Sequence, residues 1–264
     1  RYVNRFATFN HYVNRVKVSH KDKIYSFPIN LFTLYQLFGV KTPEEAKACL
    51  ADRKEPIENP KNMEEWCLAN VGREIYEIFI EGYSSKQWAR HPRELPASII
   101  KRVPIRLTFD DNYFNDRYQG IPIGGYTSIF EKMLDGIPVE LNTDFHLDRE
   151  TFLSKFDHVI FTGPIDSFFD YSLGHLEYRS LRFDHQLINC SDFQGNAVIN
   201  HTEAQIPYTR TYEHKHFDMN FSADRSTVTY EYPDKWEPGK IEIYPVNTDE
   251  NQTLFSKYQD MTKE

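Results

Sequence analysis

Only three cysteines occur in 264 residues, Cys49, Cys67 and Cys190, widely spaced and odd in number. No C-x-x-C pair exists, which argues against a zinc ribbon or a dense disulfide frame and matches a reducing, cytoplasmic compartment. No apolar run approaches the ~20 residues that a membrane span needs, and no signal or transit peptide opens the chain. Cations are the minority: 31 Lys plus Arg stand against 39 Asp plus Glu, a net charge of −8. That balance argues against a nucleic-acid surface, so an anionic ligand has to be met by a local cluster of Arg. Glycine is sparse, with 11 residues, and none of them forms a G-x-G-x-x-G turn. A P-loop, a nucleophile elbow and paired glycosidase carboxylates are likewise absent. There is no initiator Met either; the chain opens at Arg1, as a piece of a longer protein would.

What is present is aromatic. Phe 20, Tyr 17 and Trp 3 make up 15% of the residues, within 40% hydrophobic and 27% charged. This is the composition of a globular chain of one to two domains with a real core. Most Phe belongs in that core, whereas Tyr combines an apolar face with a polar tip and suits a wet pocket for sugars or nucleobases.

Val13–Val18 and Lys23–Phe27 predict a hairpin around Ser19–Asp22. Asn30 caps a helix over Leu31–Phe38 that stops at Gly39, and Thr42-Pro-Glu-Glu45 is a capping box for a helix to about Arg53. Asn62-x-x-Glu65 is a second box, opening a helix that is broken near Gly72 and ends at Gly82. Strands are expected at Val103–Phe109, Val139–Asn142 and His158–Thr162, with a helix at Gly125–Leu134 between them. From Tyr178 on, strands dominate: Tyr178–Phe183, Ala197–His201, Tyr208–His216, Thr227–Tyr232 and Ile241–Tyr244, before a final helix at Leu254–Met261. The expected class is mixed α+β and α/β: a helical insert, an antiparallel sheet and an incomplete Rossmann-like part.

Five stretches could carry chemistry. Gly82-Tyr-Ser-Ser-Lys-Gln-Trp88 reads as a mobile loop able to close a flat Trp over a ligand, or as a plain helix C-cap. Lys101, Arg102 and Arg106 are three cations in six residues, suited to phosphates or to a solvated face. In Asn112–Tyr126, aromatic, amide and charged groups lead into a Gly-rich turn where a backbone can approach a ligand. At period two, Tyr208, Arg210, Tyr212, His214 and His216 share a face. Arg210 among tyrosines reads as an anion holder, and no carboxylate or third His clearly completes a metal site with His214 and His216. Glu231, in Tyr230-Glu-Tyr-Pro233, could act as a base, orient an Arg or be an ordinary paired carboxylate, and Tyr244-Pro-Val-Asn247 adds another Tyr.

Taken together, Gly82–Trp88, Leu95–Pro104, Phe109–Tyr126, Thr162–Asp166, Leu176–Leu181, Phe193–Asn200, Pro207–Arg210 and Glu213–Phe217 resemble the UDP-galactopyranose mutases over essentially the whole chain. The resemblance implies a flavin-dependent isomerase of galactofuranose and cell-wall polysaccharide biosynthesis. It interconverts UDP-galactopyranose and UDP-galactofuranose through a covalent flavin N5–galactose adduct. It implies a sheet hairpin at 1–27, a helical substrate and lid domain at 28–100 and a strand with substrate loop at 101–123. A partial FAD-binding domain at 124–172, the antiparallel sheet at 173–250 and a helix at 251–264 follow. By position, Arg102 and Arg210 match the diphosphate-holding arginines. Trp88, Tyr83 and Ser84 match lid residues on the nucleotide, with Ser84 where the family often has Thr. Tyr113 and Tyr244 match diphosphate-side tyrosines, and Asn14 and Asn200 fall at nucleotide-sugar positions. Asp144, Phe145, Thr162 and Gly163 fall in the flavin part. The family's dinucleotide-binding turn and its C-terminal flavin segment are not in this sequence, so FAD is expected to be absent or weakly bound and the fragment inactive alone. UDP-galactose is the expected partner, with no nucleic acid, membrane or metal, and with a homodimer left open. The readings that compete are a flavin oxidoreductase of the amine-oxidase type and a non-catalytic nucleotide-sugar binding module.

Overall fold

Lys21 and Asp22 both take positive φ, 48° and 61°, the backbone that lets a two-residue turn follow the twist of its strands. They join β1 (Lys17–His20) to β2 (Lys23–Ser26) in the expected hairpin, although the first strand begins later than the predicted Val13. In this computed structural model residues 2–218 and 223–263 are described. The chain forms two units: a larger one of Thr8–Ile123 with Arg179–Tyr244, and a smaller one of Arg1–Ala7, Gly124–Tyr178 and Pro245–Glu264.

The remaining strands are β3 (Tyr178–Ile188), β4 (Val198–His201), β5 (Arg210–Glu213), β6 (Ser226–Lys235) and β7 (Tyr244–Pro245). The sheet order is β2-β1-β4-β5-β6-β3-β7. β1 and β4 run parallel, while β1–β2, β4–β5, β5–β6 and β6–β3 are antiparallel. The mixed class follows. The predicted run Tyr208–His216 is shortened at both ends. Thr209 N donates to Glu231 O at 2.8 Å while Arg210 also stands opposite Glu231. Two residues thus face one, and the alternation slips. Tyr208 therefore packs on Tyr230 and Tyr232 instead of sharing the face of Arg210. Beyond Glu213 the chain turns into a 3₁₀ segment, His214–Phe217, so the period of two also fails for His214 and His216.

The helical insert forms where its caps lie. In α1 (Leu31–Phe38), Asn30 Oδ1 accepts from Phe32 N and Thr33 N, and the helix stops at a left-handed Gly39. α2 (Pro43–Arg53) carries the complete Thr42–Glu45 box. α3 (Met63–Asn70) has only half of its predicted box: Asn62 accepts from Glu65 N, but the Glu65 carboxylate accepts from Lys61 N instead. A break at Val71–Gly72 precedes α4 (Arg73–Tyr76), which passes through a π turn, Glu77–Glu81, into α5 (Gly82–Trp88). Gly82 thus lies inside helix and does not end it. A Cβ there would sit 2.0 Å from Thr202 O, so this glycine permits close backbone approach and is not a stop. The helices bury Leu34, Ala46, Met63, Ile75 and Phe79 with Val18 and Phe27 in one core.

Val103–Phe109 is not a strand. α6 (Ser98–Lys101) precedes it, Pro104 offers no N–H, and the segment makes isolated bonds to Ile29 O and Leu31 N, each 2.9 Å. In the smaller unit, α7 (Thr127–Met133) forms as expected, followed by α8 (Arg149–Lys155), α9 (Ile165–Phe168) and α10 (Asp249–Met261). Thr248 caps α10, so that helix starts well before the predicted Leu254. Val139–Asn142 and His158–Thr162 find no ladder partner among the described residues and stay irregular. The predicted strand Ile241–Tyr244 likewise reduces to β7 at its last residue.

Candidate functional site

A row across three strands backs one cleft of the larger unit, with Asn200 and Arg210 in its lining and Glu231 buried behind them. Asn200 on β4 stands opposite Arg210 on β5, and Arg210 opposite Glu231 on β6. Residues paired in register point to the same face, so a carboxamide, a guanidinium and a carboxylate are set side by side by backbone pairing alone. Helix α5 supplies the facing wall: Tyr83, Ser84, Gln87 and Trp88, spaced i, i+1, i+4 and i+5, all line the cleft. The segment predicted as a mobile loop is therefore a helix, and its base is fastened. Lys86 Nζ donates to the carbonyls of His201, Ile206 and Tyr208 at 2.8, 3.0 and 2.9 Å.

Arg210 is held from two sides. Its Nη1 lies 3.2 Å from Glu231 Oε2, and its guanidinium carbon stands 5.6 Å from the Tyr83 ring centre. Glu231 is 1% exposed and is fully engaged. It accepts from Tyr212 OH at 2.5 Å and from Thr209 Oγ1 at 2.9 Å. Burial works against the charge on Arg210, but Tyr83, Glu231 and Tyr212 outweigh it, and the guanidinium stays protonated. Burial raises the Tyr83 and Tyr212 phenols, so both keep their O–H. The result is a guanidinium held in place by a buried carboxylate and lining a cleft of about 670 Å³ with its open mouth included.

Arg102, one residue past α6, lines the same cleft, as do Tyr113 and Tyr244. Trp88 and Tyr244 meet with ring centres 6.1 Å apart. Asn14 lines an adjoining cavity that shares Tyr113, Asn200 and Arg210 with the main cleft. All nine residues expected at the substrate are thus gathered in the larger unit. The three-cation cluster does not hold: Arg106 is committed to its own loop through Asn112 O at 2.5 Å, Asn115 and Asp110.

The expected flavin residues lie in the smaller unit. Asp144, Phe145 and Gly163 line one shallow pocket there; Thr162 is exposed and outside its lining. Asp144 Oδ1 caps a 3₁₀ turn by accepting from His146 N at 2.9 Å, and Phe145 stacks with Phe152 and Phe168. A Cβ on Gly163 would come 2.4 Å from the Phe161 ring, so ring packing explains this glycine. The pocket lining contains no Arg or Lys. These residues by themselves do not fit a dinucleotide, whose diphosphate needs cations or a cradle of free N–H groups.

His214 and His216 do not converge. His214 Nε2 meets Thr229 Oγ1 at 2.6 Å, whereas His216 approaches Asp192 and Glu213 at 3.2 and 3.4 Å. Glu213 is already bonded by Phe193 N, Gln194 N and Ser226 Oγ, and the cluster reads as a structural knot. One lining residue escaped the sequence: Gln87 would have been found had Gly82–Trp88 been read as helix, since it lies one turn beyond Tyr83. Of the roles left open for Glu231, pairing with an Arg is the one its contacts match, and that the partner is Arg210 depends on strand register, which nothing local in the sequence encodes.

The sequence profile of the UDP-galactopyranose mutase family matches residues 78–264. A probable UDP-galactopyranose mutase of Klebsiella pneumoniae is 40% identical over 261 residues, covering 97% of this chain and 67% of the relative. A dTDP-fucopyranose mutase of Escherichia coli is 36% identical over 270 residues, covering 100% and 72%. A crystal structure of reduced UDP-galactopyranose mutase shares the fold, with a TM-score of 0.60 at 14% identity over 98% of this chain and 72% of that one. The chain belongs to the UDP-galactopyranose mutase family.

Proposed function

We propose that the cleft of the larger unit holds the diphosphate of UDP-galactose, and that the chain supplies the substrate-binding part of the pyranose–furanose interconversion for which its family is named. The observation that carries this reading is that Arg102 and Arg210, 108 positions apart in the chain, line one cleft together with Trp88. Two guanidinium groups offer bidentate donors to about two negative charges. Glu231 and Tyr212 hold Arg210 in place before any ligand arrives, so little reorganisation is needed when a leaving diphosphate gains charge. Trp88, Tyr244 and Tyr83 provide flat faces for the nucleotide and shield the site from water. The family implies FAD as the group that supplies the reacting nucleophile when bound, and purified chain is expected to carry less than one flavin per molecule by absorbance.

Calorimetry with UDP tests the reading. Arg102 is exposed and makes no part of the core, so Arg102→Ala is expected to lower UDP affinity about tenfold, the size of one charge-assisted contact, with an unchanged melting temperature. Unaltered affinity would remove the diphosphate role. An amine-oxidase-like enzyme would ignore UDP, and the family match already favours the mutase.

A further inference from the structure

Three main-chain oxygens of a single connection converge on Lys86 Nζ. The His201 oxygen ends β4, the Ile206 oxygen lies in the turn, and the Tyr208 oxygen comes two residues before Arg210 opens β5. An ammonium has three N–H donors and no acceptor, so these carbonyls use all that Lys86 can give and leave nothing for a ligand. Gly82 lies one turn earlier on the same face of α5, because i and i+4 are neighbours on a helix. At Gly82 a Cβ would come 2.0 Å from Thr202 O, in the same connection. The helix therefore rests on the link between β4 and β5 at two points, a bare glycine backbone and a lysine tip.

Those two points fix one separation. Tyr83 and Trp88 line the cleft from α5, and Arg210 lines it from β5. The Tyr83 ring centre and the Arg210 guanidinium carbon stand 5.6 Å apart, so helix side and sheet side already meet there. The helix has another anchor, the Gln87 carbonyl, which accepts from Arg179 Nε at 3.1 Å; it ties α5 to β3 and not to the strand that carries Arg210. A ligand that reaches from a flat aromatic wall to a cation senses the separation of the two, whereas a ligand that touches one side does not. We propose that Lys86 is a positioning residue: it touches no ligand, and it sets the separation of the aromatic wall on α5 from Arg210 on β5 so that one nucleoside diphosphate reaches both. This rests on the cleft being the nucleotide-sugar site. The sequence alone offers Lys86 as one more cation of a polar segment, and only its three acceptors show that its charge serves the scaffold.

The test compares UDP with its two halves, uridine and pyrophosphate, on the wild-type chain and on Lys86→Met, which keeps an apolar stem and removes the three donors. Calorimetry reads UDP, and ligand-observed NMR reads the halves. In the variant UDP is expected to bind about tenfold more weakly, because a mismatched span costs a joined ligand its effective concentration, while uridine and pyrophosphate stay within about twofold. Equal UDP affinity in the variant overturns the proposal while the diphosphate reading stands. Parallel weakening of all three ligands overturns it by giving Lys86 a general role in the fold. Wild-type chain that does not bind UDP overturns the cleft reading itself. Reductive methylation of the wild-type chain, read by mass spectrometry, needs no variant. Lys86 is expected to react about tenfold more slowly than the exposed Lys47 of α2, since its amine is freed only by local opening, and equal rates overturn the proposal.

Discussion

The two units differ in how far they bury their apolar residues. In the larger one an extended core buries Leu34 and Met63 to 0% exposure, although Ile241 and Leu187 remain 70% and 63% exposed. In the smaller one, Leu141, Leu147 and Ile160 are 80%, 85% and 88% exposed, although a core of Phe145, Phe161 and Phe168 is present and Tyr258 is fully buried. The apolar runs at 139–142 and 158–162 have strand composition but find no ladder partner among the described residues, and a lone strand has no stability of its own. Burial is therefore a property of pairs of segments and not of one segment's pattern. The candidate substrate cleft lies in the unit with the larger buried core.

The sharpest test of this contrast is a pair of truncations. Leu34→Ala should cost about 2–5 kcal/mol in denaturant unfolding, the range for deleting a fully buried Leu. Leu147→Ala belongs at the other extreme and closes the series below. Next in size is Arg210→Ala, which leaves the buried Glu231 without its cation. We expect a loss of about 3 kcal/mol, the low end for a broken buried pair because Arg210 is itself 24% exposed, together with at least tenfold weaker UDP binding. A variant as stable as wild type would mean that Tyr212 and Thr209 alone satisfy Glu231.

A pH experiment gives the third effect. Burial, assisted by the charge on Lys86, lowers His201 from 6.5 to about 4. Between those values the unfolded chain binds more protons than the folded one. The stability from the neutral ring is thus complete above pH 6.5 and is lost as the pH falls toward 4, on the order of 3 kcal/mol in all. Chemical denaturation at pH 7 and pH 4.5 measures it, and His201→Gln should flatten that segment of the curve; an identical slope would assign the loss to other groups. The smallest effect is Leu147→Ala, expected within about 0.5 kcal/mol of wild type. A loss comparable to that of Leu34→Ala would erase the distinction between the units.

Much of the helical layer was legible because its signals are local. Asn30, Thr42 and Gly39 mark ends through bonds that close within four residues, and those helices fall where the caps put them. Gly82 misled for the same reason: a glycine after an apolar helix reads as a stop, and only the approach of Thr202 O shows why glycine is there. The resemblance gathered the nine substrate-side residues, and the fold brings them to one cleft and its neighbour. Spacing alone grouped Arg106 with Arg102, and only the structure shows Arg106 committed to Asn112 and Asp110 in its own loop.

The sequence by itself determined the class of fold, the helix boundaries that depend on caps, and the need for a local Arg cluster in an acidic chain. Tertiary structure alone decided that Arg106 stays in its own loop while Arg102 and Arg210 line one cleft, which Arg is paired with Glu231, and that Gln87 enters the cleft unpaired. The physical reason is range. Caps and turns are settled by bonds a few residues long. The site is settled by strand register and by helix-to-sheet contact between segments more than a hundred positions apart, where one residue of slip would point every group away.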